Sequence, residues 1–242
     1  MSFPCDHCGG SRLATLPIQI ACGLSLLAQS VPFGSETQPD VIRAIDAAER
    51  YRETNLAGYS VVEHYTISNG HFSMPAEVIV QTTYKRISGK TYEVLSRSGP
   101  SILKNRVMDR ILEEEAKMSR GSVREQSLIT SANYEMHLIG EQNIGDTSCL
   151  ALELVPRVKS PHLLRGKVWV DSRSKVVIRI EGQPLVGESF FAGRPEVVRD
   201  YAPVDGISLA QRSHAISSGL IQGKTAITII YDNYVVDRVP TP

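Results

Sequence analysis

The stretch RGKVWVDSRSKVVIRIEG, Arg165–Gly182, decides the fold. Two runs rich in β-branched residues flank the polar tetrad Asp171–Ser174, and this pattern is typical of a β-hairpin. One face of the hairpin is apolar, whereas the other is mixed and carries the only Trp of the chain, Trp169. We therefore expect a ribbon that needs a partner on one side and tolerates water or a ligand on the other.

The alternation of apolar residues predicts the register of this hairpin. If the loop has an odd number of residues, Val170 pairs with Val176 and Val168 pairs with Ile178. An even loop would place Val170 opposite Lys175 and mix apolar with charged side chains, so the odd register is favoured. In that register one face carries Val168, Val170, Val176, Ile178 and Ile180, and the other carries Trp169, Val177, Arg179 and Glu181.

Length and composition are those of a globular protein with one sizeable core. The chain has 242 residues, of which 42% are hydrophobic and 21% are charged. Its 26 Lys and Arg equal its 26 Asp and Glu, so the net charge gives no attraction to nucleic acid or to an anionic membrane surface. We expect no nucleic-acid partner.

Residues 1–30 are predicted to be a secretory signal peptide that is cleaved near Ser30. The segment Leu13–Ala28 is mostly apolar, and Pro17 and Gln19 make it a poor membrane span. Small residues at Ala28 and Ser30 suit signal peptidase. The expected location of the mature protein is the periplasm, reached across the inner membrane.

The N-terminal region allows two other interpretations. Lipidation at Cys22 is an alternative to cleavage, but Gln19-Ile20-Ala21 makes a poor lipidation signal. Cys5-x-x-Cys8 suggests zinc, yet a structural zinc needs four ligands and the sequence has no second paired Cys/His group. No metal and no cofactor are expected, and Cys149 is interpreted as a buried strand thiol.

Residues 31–39 are predicted to be a linker, after which a first helix covers Asp40–Asn55. Val41, Ile45, Ala48 and Tyr51 recur at helical spacing, and Thr37-x-x-Asp40 resembles a capping box. The helix must therefore lie on an apolar surface.

From Gly58 onward the period of the pattern changes to two, which predicts about ten strands in an α+β protein with an antiparallel sheet. No crossover helix separates the first three strands, so they are expected to form a meander. Gly residues between the predicted strands indicate turns. The predicted strands are residues 58–67, 76–84 and 89–98, then 132–142 and 147–156, the two arms of the hairpin, and finally 195–204, 208–217 and 224–237.

A second helix, Ile102–Arg120, interrupts these strands after Gly99-Pro100. Its first half carries an apolar stripe with Leu103, Val107 and Ile111, and its second half is nearly all polar. Two interpretations stay open for this helix: a movable lid, or a static cover over one end of the sheet.

No catalytic signature is present in the sequence. G-x-S-x-G, HExxH, P-loop and GxGxxG motifs are all missing, and the six His are scattered. Glu113-Glu114-Glu115 is interpreted as a solvated helix face, because adjacent helical positions point in different directions. We expect a protein that is not an enzyme.

Residues quoted above carry a resemblance to a known family. Gly166–Asp171 followed by Val177–Ile180 resembles the G-x-[IV]-W-[IV]-D turn and following strand of the LolA/LolB-like periplasmic lipoprotein carriers, a superfamily that includes outer-membrane lipoprotein-sorting proteins and RseB-like half-barrels. Ala47–Tyr65 and the final ITIIYDNYVV are similar in placement to the first and last elements of this family. The resemblance covers about residues 40–238, as one LolA-like half-barrel domain.

This resemblance implies an incomplete, strongly curved barrel whose concave apolar face holds acyl chains under helical lids. It implies a non-catalytic, monomeric carrier of lipid or lipoprotein acyl chains. The alternative is an envelope sensor or scaffold of the same fold that binds a protein partner.

Ten apolar residues are the candidate ligand-binding residues, and ordinary core packing is the competing interpretation for all of them. Seven are candidates for the groove wall and three for the lid helix. The wall residues are Val78, Val80, Val168, Val170, Ile178, Ile180 and Ile229, and the lid residues are Leu103, Val107 and Ile111.

Overall fold

The computed structural model describes residues 37–186, 194–218 and 223–240. The predicted signal peptide over residues 1–30, Cys5, Cys8 and Cys22, and most of the predicted linker lie outside these ranges. The helices are α1 (Gln38–Asn55), α2 (Met108–Met118) and α3 (Gly121–Glu125), and a π-helical turn, Ile102–Val107, leads directly into α2.

Ten strands follow the predicted order along the chain, and the fold class is confirmed. The strands are β1 (Leu56–Asn69), β2 (Ala76–Lys85), β3 (Gly89–Ser98), β4 (Tyr134–Ile144), β5 (Thr147–Pro156), β6 (Leu164–Asp171), β7 (Val177–Pro184), β8 (Glu196–Val204), β9 (Ile207–Ser218) and β10 (Lys224–Arg238).

All ten strands join in one antiparallel sheet that does not close. Consecutive strands are neighbours everywhere except between β3 and β4, which form the two edges, while the first strand pairs with the last. The helical insertion between Ser98 and Tyr134 therefore connects the two open edges. This arrangement is an incomplete barrel whose two edge strands are linked along the chain by the inserted helices.

The helices cover two separate halves of the inner face. Val41 and Ile45, four residues apart on α1, are buried in a cluster with side chains of β4 to β7. Gln38 Oε1 accepts a hydrogen bond from the Leu138 backbone N–H at 2.9 Å, and Asp46 accepts two from Ser131 at 2.6 and 2.8 Å. Helix α1 is thus held against the β4 side of the sheet.

The π-helical turn and α2 cover the other half. Leu103, Val107 and Met108 are buried there among side chains of β1, β2 and β10. The predicted apolar stripe of the second helix is therefore confirmed. The sequence predicted the end of the second helix at Arg120, and the structure adds the short helix α3, which begins at Gly121. The φ of Gly121 is +47°, a conformation that favours glycine.

The predicted register of the β6–β7 hairpin is wrong in detail. Val170 pairs with Val177 instead of Val176, and a bulge next to Trp169 adds a further shift, so that Val168 pairs with Ile180 instead of Ile178. The cause lies in the loop, where Lys175 adopts a left-handed φ of 59° and extends the turn by more than alternation alone predicts.

The longer turn also exchanges two side chains between the faces of β7. Val177 packs with the inner cluster that contains Val168, whereas Ile178 packs outside with Trp169 and Cys149. Trp169 is nearly buried in this outer cluster and donates its indole N–H to Gln142 Oε1 at 2.8 Å. The face that was expected to tolerate water or a ligand is therefore packed at this point.

Candidate functional site

Strand β8 lies inside the sheet, between β7 and β9, yet none of its nine residues, all described, is fully buried. The helices leave this part of the inner face uncovered, because α1 covers β4 to β7 and α2 covers β1, β2 and β10. Open space therefore lies in front of β8. It divides into two main cavities.

The larger space, called the apolar cavity here, has a volume of about 270 Å³. Aliphatic side chains from α2, β7, β8 and β10 form much of its wall, and residues of β9 together with Pro161, His162 and Pro195 add to the described lining. Its apolar lining includes Ile111, Met118, Ile129, Leu164, Ile180, Val197, Ala215, Ile227 and Ile229.

The second space, called the polar cavity here, has a volume of about 200 Å³. Five tyrosines and four cationic side chains dominate its lining. These residues are Tyr59, Tyr84, Tyr201, Tyr231, Tyr234, Arg52, Lys90, Arg124 and Arg199. Arg199 and Tyr201 line both cavities and mark the boundary between them.

A smaller cavity of about 130 Å³ adjoins these two beneath α1. Ile45, Arg52 and Val177 contribute to its wall, and Tyr201 borders it as well. Tyr201 is therefore common to all three spaces.

Three charged residues form a buried network on the inner face between β1, β3 and α2. Lys90 Nζ lies 2.5 Å from Glu115 Oε2 and 3.7 Å from Glu63 Oε1. Glu63 is fully buried, and Lys90 and Glu115 are 16% and 18% exposed. Such a network is stable only because each charge has an opposite charge within reach.

The pKa values of the two carboxylates in this network are shifted in opposite directions. Burial raises the pKa of Glu63, although Lys90 and the hydroxyl of Tyr65, which donates a hydrogen bond at 2.5 Å, act in the opposite direction. For Glu115, burial is outweighed by Lys90 and Arg199, and the pKa is lowered. Glu115 therefore keeps its charge at neutral pH, and Glu63 binds a proton more readily.

Arg199 has two hydroxyl partners at the boundary of the cavities, because its guanidinium forms hydrogen bonds with both Ser213 and Tyr201. Its Nε donates to Ser213 Oγ at 2.7 Å, and Ser213 in turn lies 3.3 Å from the hydroxyl of Tyr231. Within the described residues, the one carboxylate oxygen as close as 4.0 Å to its guanidinium is Glu115 Oε1. The side chain is 38% exposed, and it lines both cavities.

The other two cations of the polar cavity have close carboxylate partners. Arg52 is bonded to Glu49 and lies 3.2 Å from Glu53 Oε1. Arg124 also pairs with Glu53, and its guanidinium carbon lies 5.4 Å from the ring centroid of Tyr84. These contacts neutralise the α1 side of the cavity.

The structure separates the predicted ligand-binding residues into three places. Val78, Val80, Leu103, Val107, Ile111 and Ile229 share the cluster under α2, and Val168, Val170 and Ile180 share the cluster under α1. Ile178 lies on the outer face, so its placement on the groove wall is corrected. Of the ten, the apolar cavity is lined by Ile111, Ile180 and Ile229.

The sequence interpretation missed the charged residues of the site. It treated Glu113-Glu114-Glu115 as a solvated face, but Glu115 points inward and binds Lys90. The sequence contains a signal for the three missed charges that lie on strands. Each of them alternates in phase with inward apolar or aromatic residues of its own strand. These pairs are Glu63 with Val61 and Tyr65, Lys90 with Tyr92, and Arg199 with Val197 and Tyr201.

Across residues 37–186, 194–218 and 223–240, no group of three or more His, Cys, Asp or Glu side chains could hold a metal ion. No helix in the described part of the chain is both long enough and apolar enough to cross a membrane.

Neither protein-family models nor curated proteins match this chain. Among solved structures, a DUF1329 family protein from Desulfovibrio piger is 15% identical, with a TM-score of 0.48 over 81% of this chain and 93% of its own. A putative outer membrane lipoprotein-sorting protein domain from Vibrio parahaemolyticus is 10% identical, with a TM-score of 0.47 over 79% and 90%.

A LolA superfamily protein from Nitrosomonas europaea is 12% identical, with a TM-score of 0.45 over 82% of this chain and 94% of its own. Two of these structures, the LolA superfamily protein and the lipoprotein-sorting protein domain, belong to groups that the sequence resembles. At such identities and TM-scores the similarities give no information about a ligand or a partner of this chain.

Proposed function

We propose that this protein is a non-catalytic periplasmic carrier that binds the apolar chain of a lipid or lipoprotein in the apolar cavity. The observation that carries the proposal is the space in front of β8, where an interior strand has no fully buried side chain. A cavity of about 270 Å³ is larger than the roughly 150 Å³ apolar cavity that binds benzene in an engineered core.

The hydrophobic effect supplies the driving force for such binding. Transfer of each CH₂ from water to an apolar site contributes about 0.8 kcal/mol, or about fourfold in affinity. Ile111, Ile227 and Ile229 line the cavity from α2 and β10 and offer the apolar contacts. Affinity should rise with chain length until the cavity is full.

The test is binding of a series of saturated fatty acids by calorimetry, together with mass spectrometry of lipids extracted from the protein purified from a bacterial envelope. Affinity that increases with chain length supports a carrier. An affinity that does not change with chain length contradicts the carrier proposal, and so does the absence of both binding and extracted lipid. A scaffold that recognises a protein partner would not produce such a length dependence.

A matched pair of substitutions places the ligand. Ala215→Phe fills the apolar cavity, because Ala215 lies in its wall, opposite Val197 of β8. Ala226→Phe makes the same change on the other face of the sheet, one residue before the inward-facing Ile227. We expect binding to be lost in the first variant and retained in the second. Equal binding by both folded variants would place the ligand elsewhere.

A further inference from the structure

The two main cavities are contiguous at Arg199 and Tyr201, which line both. One is walled mostly by aliphatic side chains, and the other by tyrosines and cations. Two adjoining spaces of this kind match a ligand that is itself divided into an apolar chain and a polar head.

Charge pairing in the polar cavity points to the sign of that head. Arg52 and Arg124 lie against Glu49 and Glu53, and Lys90 lies 2.5 Å from Glu115. These cations are therefore satisfied within the protein.

Arg199 lines both cavities, and its hydrogen bonds with Ser213 and Tyr201 use only part of the five N–H donors of a guanidinium. Its closest carboxylate contact, with Glu115 Oε1, is 4.0 Å long, and the same carboxylate already binds Lys90 at 2.5 Å through Oε2. An arginine remains charged at all physiological pH values. A guanidinium with open donors in a partly enclosed space is a suitable partner for a carboxylate or a phosphate.

Acidic side chains at the apolar cavity do not cancel the preference of Arg199 for an anionic group. Glu114 also lines it, but Glu114 Oε1 accepts a hydrogen bond from Lys117 at 2.8 Å and lies 3.9 Å from Arg110 Nε. Among the four cations of the polar cavity, Arg199 has the longest contact with a carboxylate, 4.0 Å. Arg199 is then the least compensated charge of the site.

We propose that the two cavities bind one amphipathic molecule with an anionic head, whose chain lies in the apolar cavity and whose carboxylate or phosphate binds the Arg199 guanidinium. This inference rests on the proposed function and specifies its ligand class. Tyr201, which borders both cavities, and Tyr231, which lies 3.3 Å from Ser213, place phenol groups near that head. A neutral chain, such as an alcohol, would leave Arg199 without an anionic partner.

The experiment compares three ligands of equal chain length by calorimetry: decanoate, decyl phosphate and n-decanol. The full-length protein should bind at least one of the anions about tenfold to a hundredfold more tightly than the alcohol, as expected for a charge-assisted hydrogen bond. Preference for decanoate indicates a fatty acid, preference for decyl phosphate indicates a phospholipid head, and equal preference indicates a site for either.

Arg199→Gln should remove the preference and leave the affinity for n-decanol unchanged. Arg212→Gln is the matched control, because Arg212 is exposed and lies one residue before the inward Ser213 on the same strand. It should bind all three ligands as the unaltered protein does. If Arg199→Gln fails to fold, Arg199→Lys, which keeps the charge, should retain a preference for anions.

The outcomes separate this inference from the proposed function. Equal affinity for the alcohol and both anions, or an anion preference that persists in folded Arg199→Gln, overturns the role of Arg199 while a chain-binding cavity stands. Failure of all three ligands to bind overturns the proposed function itself.

Discussion

Lys90 Nζ lies 2.5 Å from Glu115 Oε2, so an ion pair joins the edge strand β3 to the last turns of α2. The same end of the helix is fixed a second time, because the backbone N–H of Lys90 donates to Ser119 Oγ at 2.8 Å. The half of this helix that is polar in sequence is therefore attached to the sheet by charge, while its other half is attached by apolar packing.

Replacement of Glu115 by Gln should destabilise the protein. The change removes the close partner of Lys90 and the nearest carboxylate of Arg199, and Glu63, 3.7 Å from Lys90, compensates only in part. We expect a loss of about 1–3 kcal/mol in the free energy of unfolding, measured with urea.

Glu113→Gln is the control for this change. Glu113 lies two residues earlier on the same helix, is 59% exposed and is 3.5 Å from Arg110. Glu113→Gln should change the free energy of unfolding by no more than about 0.5 kcal/mol. Equal effects of the two substitutions would show that the Lys90–Glu115 contact contributes no more than a surface pair.

Replacement of Glu63 by Gln should stabilise the protein more at high pH than at low pH. Burial raises the pKa of Glu63 in the folded state, so the folded protein binds this proton more tightly than the unfolded chain does. The corresponding stability is fully present below the unfolded pKa and is lost as the pH rises through the folded pKa. Gln cannot ionise and avoids this loss, which is worth about 1.4 kcal/mol for each unit between the two pKa values.

Urea unfolding of both proteins at about pH 5 and about pH 8 measures this difference. Glu115 has a lowered pKa and stays ionised over the interval, so the change in the difference between the two proteins reports Glu63. A difference that is the same at both pH values would mean that Glu63 does not titrate between them.

The glycine of the G-x-V-W-V-D sequence should not accept a side chain. Gly166 pairs with Gly182 across β6 and β7, and a Cβ on Gly166 would lie 2.0 Å from the carbonyl oxygen of Glu181. The contact is with backbone, so Gly166→Ala must displace β7. The expected loss is about 1–3 kcal/mol or more in unfolding free energy.

Gly70→Ala is the matched control, because no heavy atom lies within 4 Å of the Cβ it would introduce. It should be neutral or stabilising by up to about 1 kcal/mol, since alanine restricts the unfolded chain. Equal stability of the two alanine variants would show that the strands separate at Gly166 without cost.

Part of this architecture can be predicted from periodicity, and part of it cannot. Strands such as β2 and β10 and the helix that buries Val41 and Ile45 are visible because burial repeats with the period of the element. The longer turn that moves Ile178 to the outer face is not visible, because it depends on the left-handed φ of Lys175, a residue type with no preference for that conformation.

The charged site lies between these two cases. Arg199 occupies an inward position of β8 by simple alternation, so its direction follows from the sequence. The open space in front of Arg199 does not follow from the sequence, because this space exists only where the areas covered by α1 and α2 fail to meet. That gap depends on how two helices, remote in sequence, pack on one sheet.

Helix α2 should behave as a static cover and not as a movable lid. Its first residues are held by the buried Met108 and by Asp109, whose Oδ1 lies 2.6 Å from Arg97 Nη2, and its last turns are held by Glu115. Opening would break both ion pairs and expose apolar side chains together. We expect amide hydrogens of α2 to exchange as slowly as those of β3, and those of the loop 157–163, which borders the apolar cavity, to exchange faster. Hydrogen exchange read by mass spectrometry makes the comparison, and faster exchange in α2 than in that loop would instead identify the helix as the element that opens.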